Sequence, residues 1–226
     1  NLQITLIKLV PQGFLDTTFD GPSGNGNGVV KVDFADKSHA YMSAILPQVA
    51  GGFYLAGTAG TRFTGPHYYA MAKFDDNGEP DTSFSSDGFV LTQLEPPAEA
   101  MHVPTIKQLP NGNLVFPVNV NNASGYTTFT PTGTVPSQVC STCLWSPSVD
   151  AVRTSGMTVN SSGNVLIVGR NMTTNRFFGT LFTSSGTINH SFQTPDVRFY
   201  FVRWSVAAYK AITQSDTSII VLAYGE

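Results

Sequence analysis

The chain has 226 residues, a formal net charge of −3 and only 12% charged residues, and that length suits one large domain or a small repeat array. No run of Lys and Arg is present, so the electrostatic footprint of a nucleic-acid-binding protein is absent and we expect no nucleic-acid partner. No apolar run is long enough to cross a bilayer, so we expect no transmembrane segment.

Ser, Thr, Asn and Gly replace charged residues as the polar part of the composition. The charged share is about half of the usual one, a composition associated with secreted and cell-envelope proteins. The chain also begins at Asn1 rather than at a methionine, as a processed chain does. We therefore expect a secreted, periplasmic or cell-surface protein.

Short strands joined by tight polar turns follow one another along the chain, without sustained helical periodicity. The first two are predicted at 3–10 and 28–34. Three sets of four follow, at 38–47, 52–57, 67–74 and 88–94, at 101–109, 113–119, 125–130 and 141–145, and at 151–159, 164–169, 176–182 and 197–203. The last two are predicted at 205–213 and 218–223.

A Gly-x-x-Asp-x-x-Phe motif recurs between the third and fourth strands of each set. Its glycines are Gly13, Gly78, Gly133 and Gly186, and its Asp is kept as Asp16 and Asp81 but replaced by Pro136 and Asn189. An Asp after a turn glycine accepts backbone N–H bonds. We interpret it as closing the turn rather than binding calcium, which needs several converging oxygen ligands. The Phe three residues later is expected to pack between neighbouring sheets.

Four copies of a four-stranded unit predict an all-β fold, a four-bladed β-propeller of antiparallel blades. The units are residues 38–94, 101–145, 151–203, and 205–226 joined to 1–34, within a single domain spanning 1–226. In this arrangement the two N-terminal strands complete the C-terminal blade, which leaves no unfinished sheet edge. The alternative is an open four-repeat piece of a larger propeller.

Two of the copies resemble the delta-sixty repeat, a bacterial propeller repeat. The residues that carry the resemblance are MAKFDDNGEPDTSFSSDGFV at 71–90 and IKLVPQGFLDTTFDGPSGNGNGVV at 7–30. The third and fourth copies depart from the pattern at its Asp. The resemblance implies a β-propeller from a bacterial source, and it brings no catalytic residues.

A polar cluster is predicted where the chain enters the first strand of each blade, because those strands line a propeller's central channel. The predicted ligand-binding residues there are Asp36, His39, Glu99, His102, Asp150 and Arg153. Imidazole and carboxylate together suit a divalent transition metal, so His39 and His102 are candidate ligands of a channel-bound metal ion. The competing interpretation is that the acids cap turns and the histidines bond to nearby backbone. No other cofactor is expected.

Aromatic side chains form a second candidate surface. Tyr200 and Trp204 lie in VRFYFVRW at 197–204, and Trp145 lies in CLWSPS at 143–148. Tyr and Trp are enriched at binding hot spots, so all three are candidate ligand contacts. The competing interpretation is that these side chains are buried between blades, because most aromatic side chains in proteins pack in the core.

Cys140 and Cys143 are the two cysteines of the chain. In a secreted protein a local disulfide between them is favoured over two free thiols. A thioredoxin-like redox pair is disfavoured, because that chemistry places the first cysteine at a helix N-terminus. Zinc would need two further ligands from elsewhere.

These features favour a non-catalytic binding module for a protein or glycan ligand. The sequence has no Gly-x-Ser-x-Gly, HExxH or strand-following phosphate-loop motif. The first alternative is a carbohydrate-active hydrolase that uses channel-mouth carboxylates, such as Asp36 and Glu99, as acid and base. The second is a structural repeat module of a larger envelope protein.

Overall fold

The structure, a computed structural model, consists mainly of antiparallel β-sheets. It describes residues 4–24, 26–34, 39–60, 67–92, 105–120, 123–134, 144–145, 152–174, 176–193, 206–213 and 219–225. The chain divides into two compact units, Asn1–Gln93 with Pro131–Thr134 and Leu94–Thr130 with Val135–Glu226. Within the described ranges, no helix is long and apolar enough to cross a membrane.

The first unit contains one two-stranded and one four-stranded antiparallel sheet. The short sheet pairs β1 (Ile4–Ile7) with β2 (Val29–Val32), and a short 3-10 helix at Gly21–Ser23 precedes β2. The longer sheet follows chain order, with β3 (His39–Pro47), β4 (Phe53–Gly60), β5 (His67–Phe74) and β6 (Phe89–Thr92). All six strands were predicted from the sequence to within a few residues.

The second unit contains two four-stranded sheets and one two-stranded sheet, all antiparallel and in chain order. Their strands are β7 (Lys107–Gln108), β8 (Leu114–Val120), β9 (Ala123–Phe129) and β10 (Leu144–Trp145), then β11 (Val152–Val159), β12 (Val165–Asn171), β13 (Phe177–Phe182) and β14 (Ile188–Gln193), then β15 (Val206–Thr213) and β16 (Ile219–Gly225). The predicted all-β class and the repeated four-stranded antiparallel sheet are confirmed. The number of blades and the joining of the two short sheets into one blade stay predictions.

The turn that carries the repeated Asp is held by hydrogen bonds and an ion pair to one carboxylate. Asp81 Oδ1 accepts hydrogen bonds from the backbone N–H of Ser83 at 2.9 Å and from its hydroxyl at 2.6 Å. Asp81 Oδ2 lies 2.6 Å from Lys73 Nζ. The predicted turn-closing role of this Asp is therefore confirmed, and a lysine eight residues earlier in the chain is an additional partner.

The first copy repeats the same contacts. Asp16 Oδ1 accepts from the backbone N–H of Thr18 at 3.1 Å and from its hydroxyl at 2.5 Å, while Asp16 Oδ2 lies 3.2 Å from Lys8 Nζ. We call the Lys–Asp pair with its hydrogen-bonded turn the corner. In both copies the lysine also lies near an aromatic ring, 6.0 Å from the Phe19 centroid for Lys8 and 5.6 Å from the Tyr54 centroid for Lys73.

Each corner directs the following Phe into the core. Phe19 is 3% exposed and packs in a cluster that includes Val30 of β2 and Leu55 of β4. This Phe therefore packs between two sheets, as predicted. Phe84 is fully buried, and its ring lies 5.5 Å from the ring of Tyr54.

Each corner is also bonded to the turn of the next copy. The backbone N–H groups of Asp20 and Gly21 donate to the Asn77 carbonyl at 2.9 and 3.0 Å. The equivalent N–H of Ser85 donates to the Thr132 carbonyl at 3.0 Å. All of these residues belong to the first unit, so the repeat spacing is fixed there by backbone hydrogen bonds between copies.

The fourth copy has no corner, and its last strand differs from the predicted one. Leu181 and Asn189 occupy the positions of the lysine and the Asp, so no ion pair can form. The chain instead pairs directly back along β13, with Leu181 opposite His190, and β14 is Ile188–Gln193 rather than 197–203. Residues 197–203 lie outside the described part of the chain.

The core of the second unit lies between its two four-stranded sheets. The Tyr126 and Phe182 rings meet edge to face at 5.3 Å. The buried cluster around them also contains Val115, Val152, Met157, Val165, Ile167 and Phe178. Side chains from β8, β9, β11, β12 and β13 thus form one packed layer.

The corner predicts a graded response to substitution of Asp81. Asp81→Asn keeps an oxygen for Ser83 but removes the charge beside Lys73, so we expect a loss of about 0.5–1 kcal/mol in the free energy of unfolding. Asp81→Ala removes both interactions, and we expect a loss of about 1–2 kcal/mol. Urea denaturation at pH 7 measures both. Asp87→Asn is the matched control, because Asp87 accepts only the Phe89 N–H in the same turn region.

The ion pair of Asp81 and Lys73 also predicts that the stability of the fold depends on pH in the acid range. Lys73 and then the Ser83 hydroxyl lower the pKa of Asp81 from 3.8 to about 2. Between these values the unfolded chain binds a proton that the folded chain does not, so this stabilisation is complete above about pH 4 and is lost as the pH falls towards 2. The difference between the wild type and Asp81→Asn should shrink over that range. A difference that stays constant would show that the pair does not stabilise the fold.

The two motif glycines differ in their surroundings, and this predicts different losses of stability when each is replaced by alanine. Gly13 and Gly78 have φ angles of +86° and +84°, so alanine at either position adopts a strained conformation that costs about 1 kcal/mol. A Cβ on Gly13 meets no atom within 4 Å, whereas one on Gly78 would lie 2.6 Å from Val30 Cγ2 and 2.9 Å from Phe19 Cε2. We expect Gly78→Ala to cost about 1–3 kcal/mol more than Gly13→Ala in urea denaturation. Equal losses would contradict the packing of the two copies.

Candidate functional site

Three of the residues predicted for the site lie within the described part of the chain. They are His39 at the start of β3, Trp145 at the end of β10 and Arg153 in β11. The others, Asp36, Glu99, His102, Asp150, Tyr200 and Trp204, lie outside it, as do Cys140 and Cys143 with their predicted disulfide. Roles for those residues stay predictions.

His39 shares a row of its sheet with a second histidine that the sequence did not indicate. Gly60 of β4 is the pairing partner of His39 on β3 and also of His67 on β5. Within the described residues, no group of three or more His, Cys, Asp or Glu could hold a metal ion. A metal bound by His39 and His102 stays a prediction.

The hairpin turns align the first strands of the sheets. Equivalent backbone hydrogen bonds close these turns, from the N–H of Gln48 to the Gly52 carbonyl, of Leu109 to Asn113 and of Asn160 to Asn164, at 3.0, 2.8 and 3.1 Å. Gln48, Leu109 and Asn160 are therefore equivalent. In the sequence Leu109 lies 63 residues after Leu46, as His102 does after His39, and this equal spacing suggests a different alignment, two residues away from the one that the turns establish.

This alignment corrects the pairing of the predicted histidines. Counted back from the turns, His102 takes the sequence position of Tyr41 and Arg153, and not that of His39. This first-strand position is thus occupied by Tyr41 in β3 and by Arg153 in β11, and His102, which lies outside the described residues, has the same spacing from its turn in the sequence. All three are side chains with binding chemistry.

A β-bulge follows that position by two residues in β3 and β11, and β15 has an equivalent bulge. The register shifts leave Ser43 in β3, Ser155 in β11 and Tyr209 in β15 as the extra residues. A bulge bends its strand and redirects neighbouring side chains. Opposite two of the bulges stand Gly57 and Gly169, where a Cβ would overlap the carbonyl oxygens of Tyr41 and Arg153 respectively. A glycine inside a strand pattern is the sequence signal for such a bulge.

Tyr41 and Arg153 present their side chains to solvent beside buried neighbours. Tyr41 is 59% exposed while Ala40 next to it is buried, and Arg153 is exposed while Val152 is buried. Tyr and Arg are the residue types most often found at binding hot spots. The sequence predicted Arg153 but not Tyr41, because a single tyrosine in an apolar strand pattern indicates only a strand.

Arg153 lies in a row of paired residues across the β11–β14 sheet. Its pairing partner on β12 is Arg170, whose partner on β13 is Phe177. Arg176 precedes Phe177 and is exposed. The described residues of the second unit include no Asp or Glu.

Two hydrogen-bonded groups hold this end of the sheet in place. Asn119 Oδ1 accepts from the Thr154 N–H at 3.1 Å and from its hydroxyl at 3.2 Å, and the Ser124 and Thr154 hydroxyls are hydrogen-bonded to each other. In the turn after β12, the fully buried Asn171 accepts from the N–H groups of Thr173 and Thr174 at 3.0 and 2.9 Å. The strand of Arg153 and the turn before Arg176 are both fixed.

The comparisons with known proteins give neither a family nor a curated relative. No family model matches the chain, and no curated protein matches it. The β-propeller domain of the Trilobed protease from Pyrococcus furiosus is similar, with a TM-score of 0.43 and 14% identity over 86% of this chain and 56% of that one. Kuenenia stuttgartiensis hydrazine synthase gives a TM-score of 0.49 and 8% identity over 88% and 65% of the two chains.

Virginiamycin B lyase from Staphylococcus aureus is also similar, with a TM-score of 0.40 and 13% identity over 100% of this chain and 88% of that one. The chain spans only 56% and 65% of the lengths of the first two structures. With every TM-score below 0.5, the fold assignment rests on the sheets of this chain itself.

Proposed function

We propose that this chain is a secreted or surface β-propeller module that binds a protein or glycan ligand without catalysis. The observation that carries the proposal is the repeated exposed position before the bulge, occupied by Tyr41 and Arg153. A repeated scaffold whose exposed residue varies in chemistry between copies is suited to recognition, because each copy contributes a different contact to one ligand.

The proposed binding face is the mouth of the channel, at the ends where the first strands begin. Tyr41 and Arg153 support it directly, since both lie near the start of a first strand. His102 has the equivalent sequence position, and Asp36, Glu99 and Asp150 precede first strands in the same way. In this proposal the acids and His102 contribute further polar contacts around the ligand.

Substitution at the repeated position tests the proposal. A glycan array and a pull-down identify a ligand, and calorimetry then compares Tyr41→Ala and Arg153→Ala with the wild type. We expect each substitution to weaken binding by roughly 10-fold or more, as truncation of a hot-spot side chain does. Ile45→Ala is the matched control, because Ile45 is on the same strand and equally exposed at 59%. Unchanged affinity in both variants, or chemical turnover of the ligand, would contradict the proposal.

We also propose that the propeller is closed within this chain, by pairing of β1 with β16. Leu9 takes the repeat position of Phe74, Phe129 and Phe182, which are at most 2% exposed, yet Leu9 is 54% exposed. Ile7 is 58% exposed, although its equivalents Ala72, Thr127 and Thr180 are also at most 2% exposed. Within the described residues, β1 pairs with β2 and lacks the second-strand neighbour that β5, β9 and β13 have.

The register of the complete sheets indicates which residues would meet. Phe182 pairs with Val165 in β12, and Thr180 pairs with Ile167. The residues of β16 at these two positions are Ile219 and Val221, because Thr213 pairs with Ile219 as Val159 pairs with Val165. The proposal therefore sets Leu9 opposite Ile219 and Ile7 opposite Val221. Closure would bury the apolar side chains of Ile7 and Leu9.

A cysteine cross-link tests the closure. In a background with Cys140 and Cys143 changed to Ser, Leu9→Cys with Ile219→Cys should form an intramolecular disulfide on mild oxidation. A disulfide requires Cα atoms within about 7 Å, so it reports the register. Leu9→Cys with Ile220→Cys is the control and should react more slowly, because Ile220 faces the other side of the strand. Cross-linking only between molecules would favour the alternative, an open piece of a larger propeller.

A further inference from the structure

We propose that His39 and His67 form a binding site for a divalent transition-metal ion at one end of the β3–β6 sheet. We call these two histidines and Gly60 the histidine row. The inference goes beyond the proposed binding function and does not depend on it. It is carried by the register of three neighbouring strands, which brings together two histidines that are far apart in the chain.

Two pairings that share one residue define the histidine row. Gly60, the last residue of β4, pairs with His39, the first residue of β3, and with His67, the first residue of β5. Residues directly opposite each other in an antiparallel sheet lie on the same face. His39 and His67 therefore lie on one face, two strands apart, and the glycine between them has no side chain.

The spacing of the strands suits two ligands of a single ion. Neighbouring strands are about 4.8 Å apart, so the backbones of His39 and His67 are separated by roughly 10 Å. Each imidazole has to span about half of that distance, less a metal–nitrogen bond of about 2 Å. A histidine side chain is long enough for this, whereas a side chain at position 60 would occupy the space between the two ligands.

The rows next to the histidines are packed, so the sheet holds these strand ends in place. Ala40 and Ala59 pair in the next row and are buried in the core of the first unit. In the row after that, Thr58 and Tyr69 are buried while Tyr41 is exposed. Sites built on strands are more precise than sites built on loops. The packed part of the sheet thus reaches to within two residues of the histidine row on all three strands.

The repeat does not require a histidine at either position. The aligned hairpin turns give the equivalents of His39, and the equivalent buried residues Phe74, Phe129 and Phe182 give those of His67. In the sequence the next two copies have alanine at the first position and asparagine at the second, namely Ala100 and Ala151, and Asn122 and Asn175. The two histidines together are therefore a feature of one copy alone.

Imidazole selects late first-row transition metals over hard cations. Nitrogen ligands suit Zn²⁺, Ni²⁺ and Cu²⁺, and the affinity of such a site is highest for Cu²⁺. Mg²⁺ and Ca²⁺ prefer oxygen ligands. Two histidines fill two positions of the ion and leave the others to water or to a polar group of a bound molecule. We therefore expect Cu²⁺ to bind more tightly than Ni²⁺ or Zn²⁺, and Mg²⁺ and Ca²⁺ not to bind at this site.

The four histidines of the chain allow a matched experiment. Calorimetry with Ni²⁺ and with Zn²⁺ compares the chelator-treated wild type with His39→Gln and His67→Gln, and with the controls His102→Gln and His190→Gln. We expect one ion per chain, and binding weaker by about 10-fold or more in each variant of the row, because loss of even an outer partner of a metal site has that effect. Both controls should keep the affinity of the wild type.

Spectroscopy of bound Cu²⁺ tests the ligands directly. Electron paramagnetic resonance should detect two imidazole nitrogens on the ion in the wild type and one in either variant of the row. Gly60→Val should weaken binding as well, because it places a side chain between the ligands. Unchanged affinity in Gly60→Val, or a single imidazole in the wild type, overturns a shared ion. Thermal unfolding without metal verifies that each variant is folded.

The remaining outcomes also decide the inference. A loss confined to His39→Gln and His102→Gln overturns this site in favour of the pair predicted from the sequence. Equal losses in all four variants, or several weakly bound ions per chain, indicate adventitious binding to surface histidines only and overturn it too. The absence of binding by the wild type does the same. None of these results affects the proposed binding function, which is tested through Tyr41 and Arg153 without added metal.

Discussion

The first two copies of the repeat depend on one carboxylate at each corner, which bonds to its own turn and to a lysine eight residues earlier. Where Asp16 and Asp81 are present, the chain leaves the sheet, buries a Phe and bonds to the next copy before it returns as the fourth strand. Where Asn189 and Leu181 replace the pair, the chain returns at once as β14. In the first two copies the corner therefore holds the turn and its link to the next copy, but a long connection does not require it: the third copy has Thr128 and Pro136 at the positions of the pair, and its fourth strand also begins only at Leu144.

The bulges are a second constraint: they fix the backbone of the first strands but not the identity of the exposed side chain. The bulge and its facing glycine recur in β3 and β11, since only glycine leaves room for the carbonyl of the bulged strand. The exposed residue two positions earlier is under no such demand. It is Tyr41 in one sheet and Arg153 in the other. The backbone is thus repeated while the side chain that meets solvent is free to vary.

The turns and the strand ends were the features that could be predicted best from the sequence. The turns carry Gly, Asn and Asp, so most strand ends were predicted within a few residues, and the role of Asp81 followed from its place after Gly78. The register of the strands was harder to predict from the sequence, because a bulge adds one residue to a strand without a change in composition. The equal spacing of His102 from His39 and of Leu109 from Leu46 therefore suggests a pairing of the two histidines that the hydrogen-bonded turns do not support. The lysine of the corner was missed for a related reason, as it meets Asp81 only after the strand has reversed.

The distribution of charge links structure to function. Six of the eight carboxylates described in the first unit take part in its turns: beside Asp16 and Asp81 of the corners, Asp20, Asp75, Asp76 and Asp87 each accept a backbone N–H. The described residues of the second unit have cations and no carboxylates. Acids are therefore used to build this fold, and an acid in its sequence is weak evidence for a catalytic role.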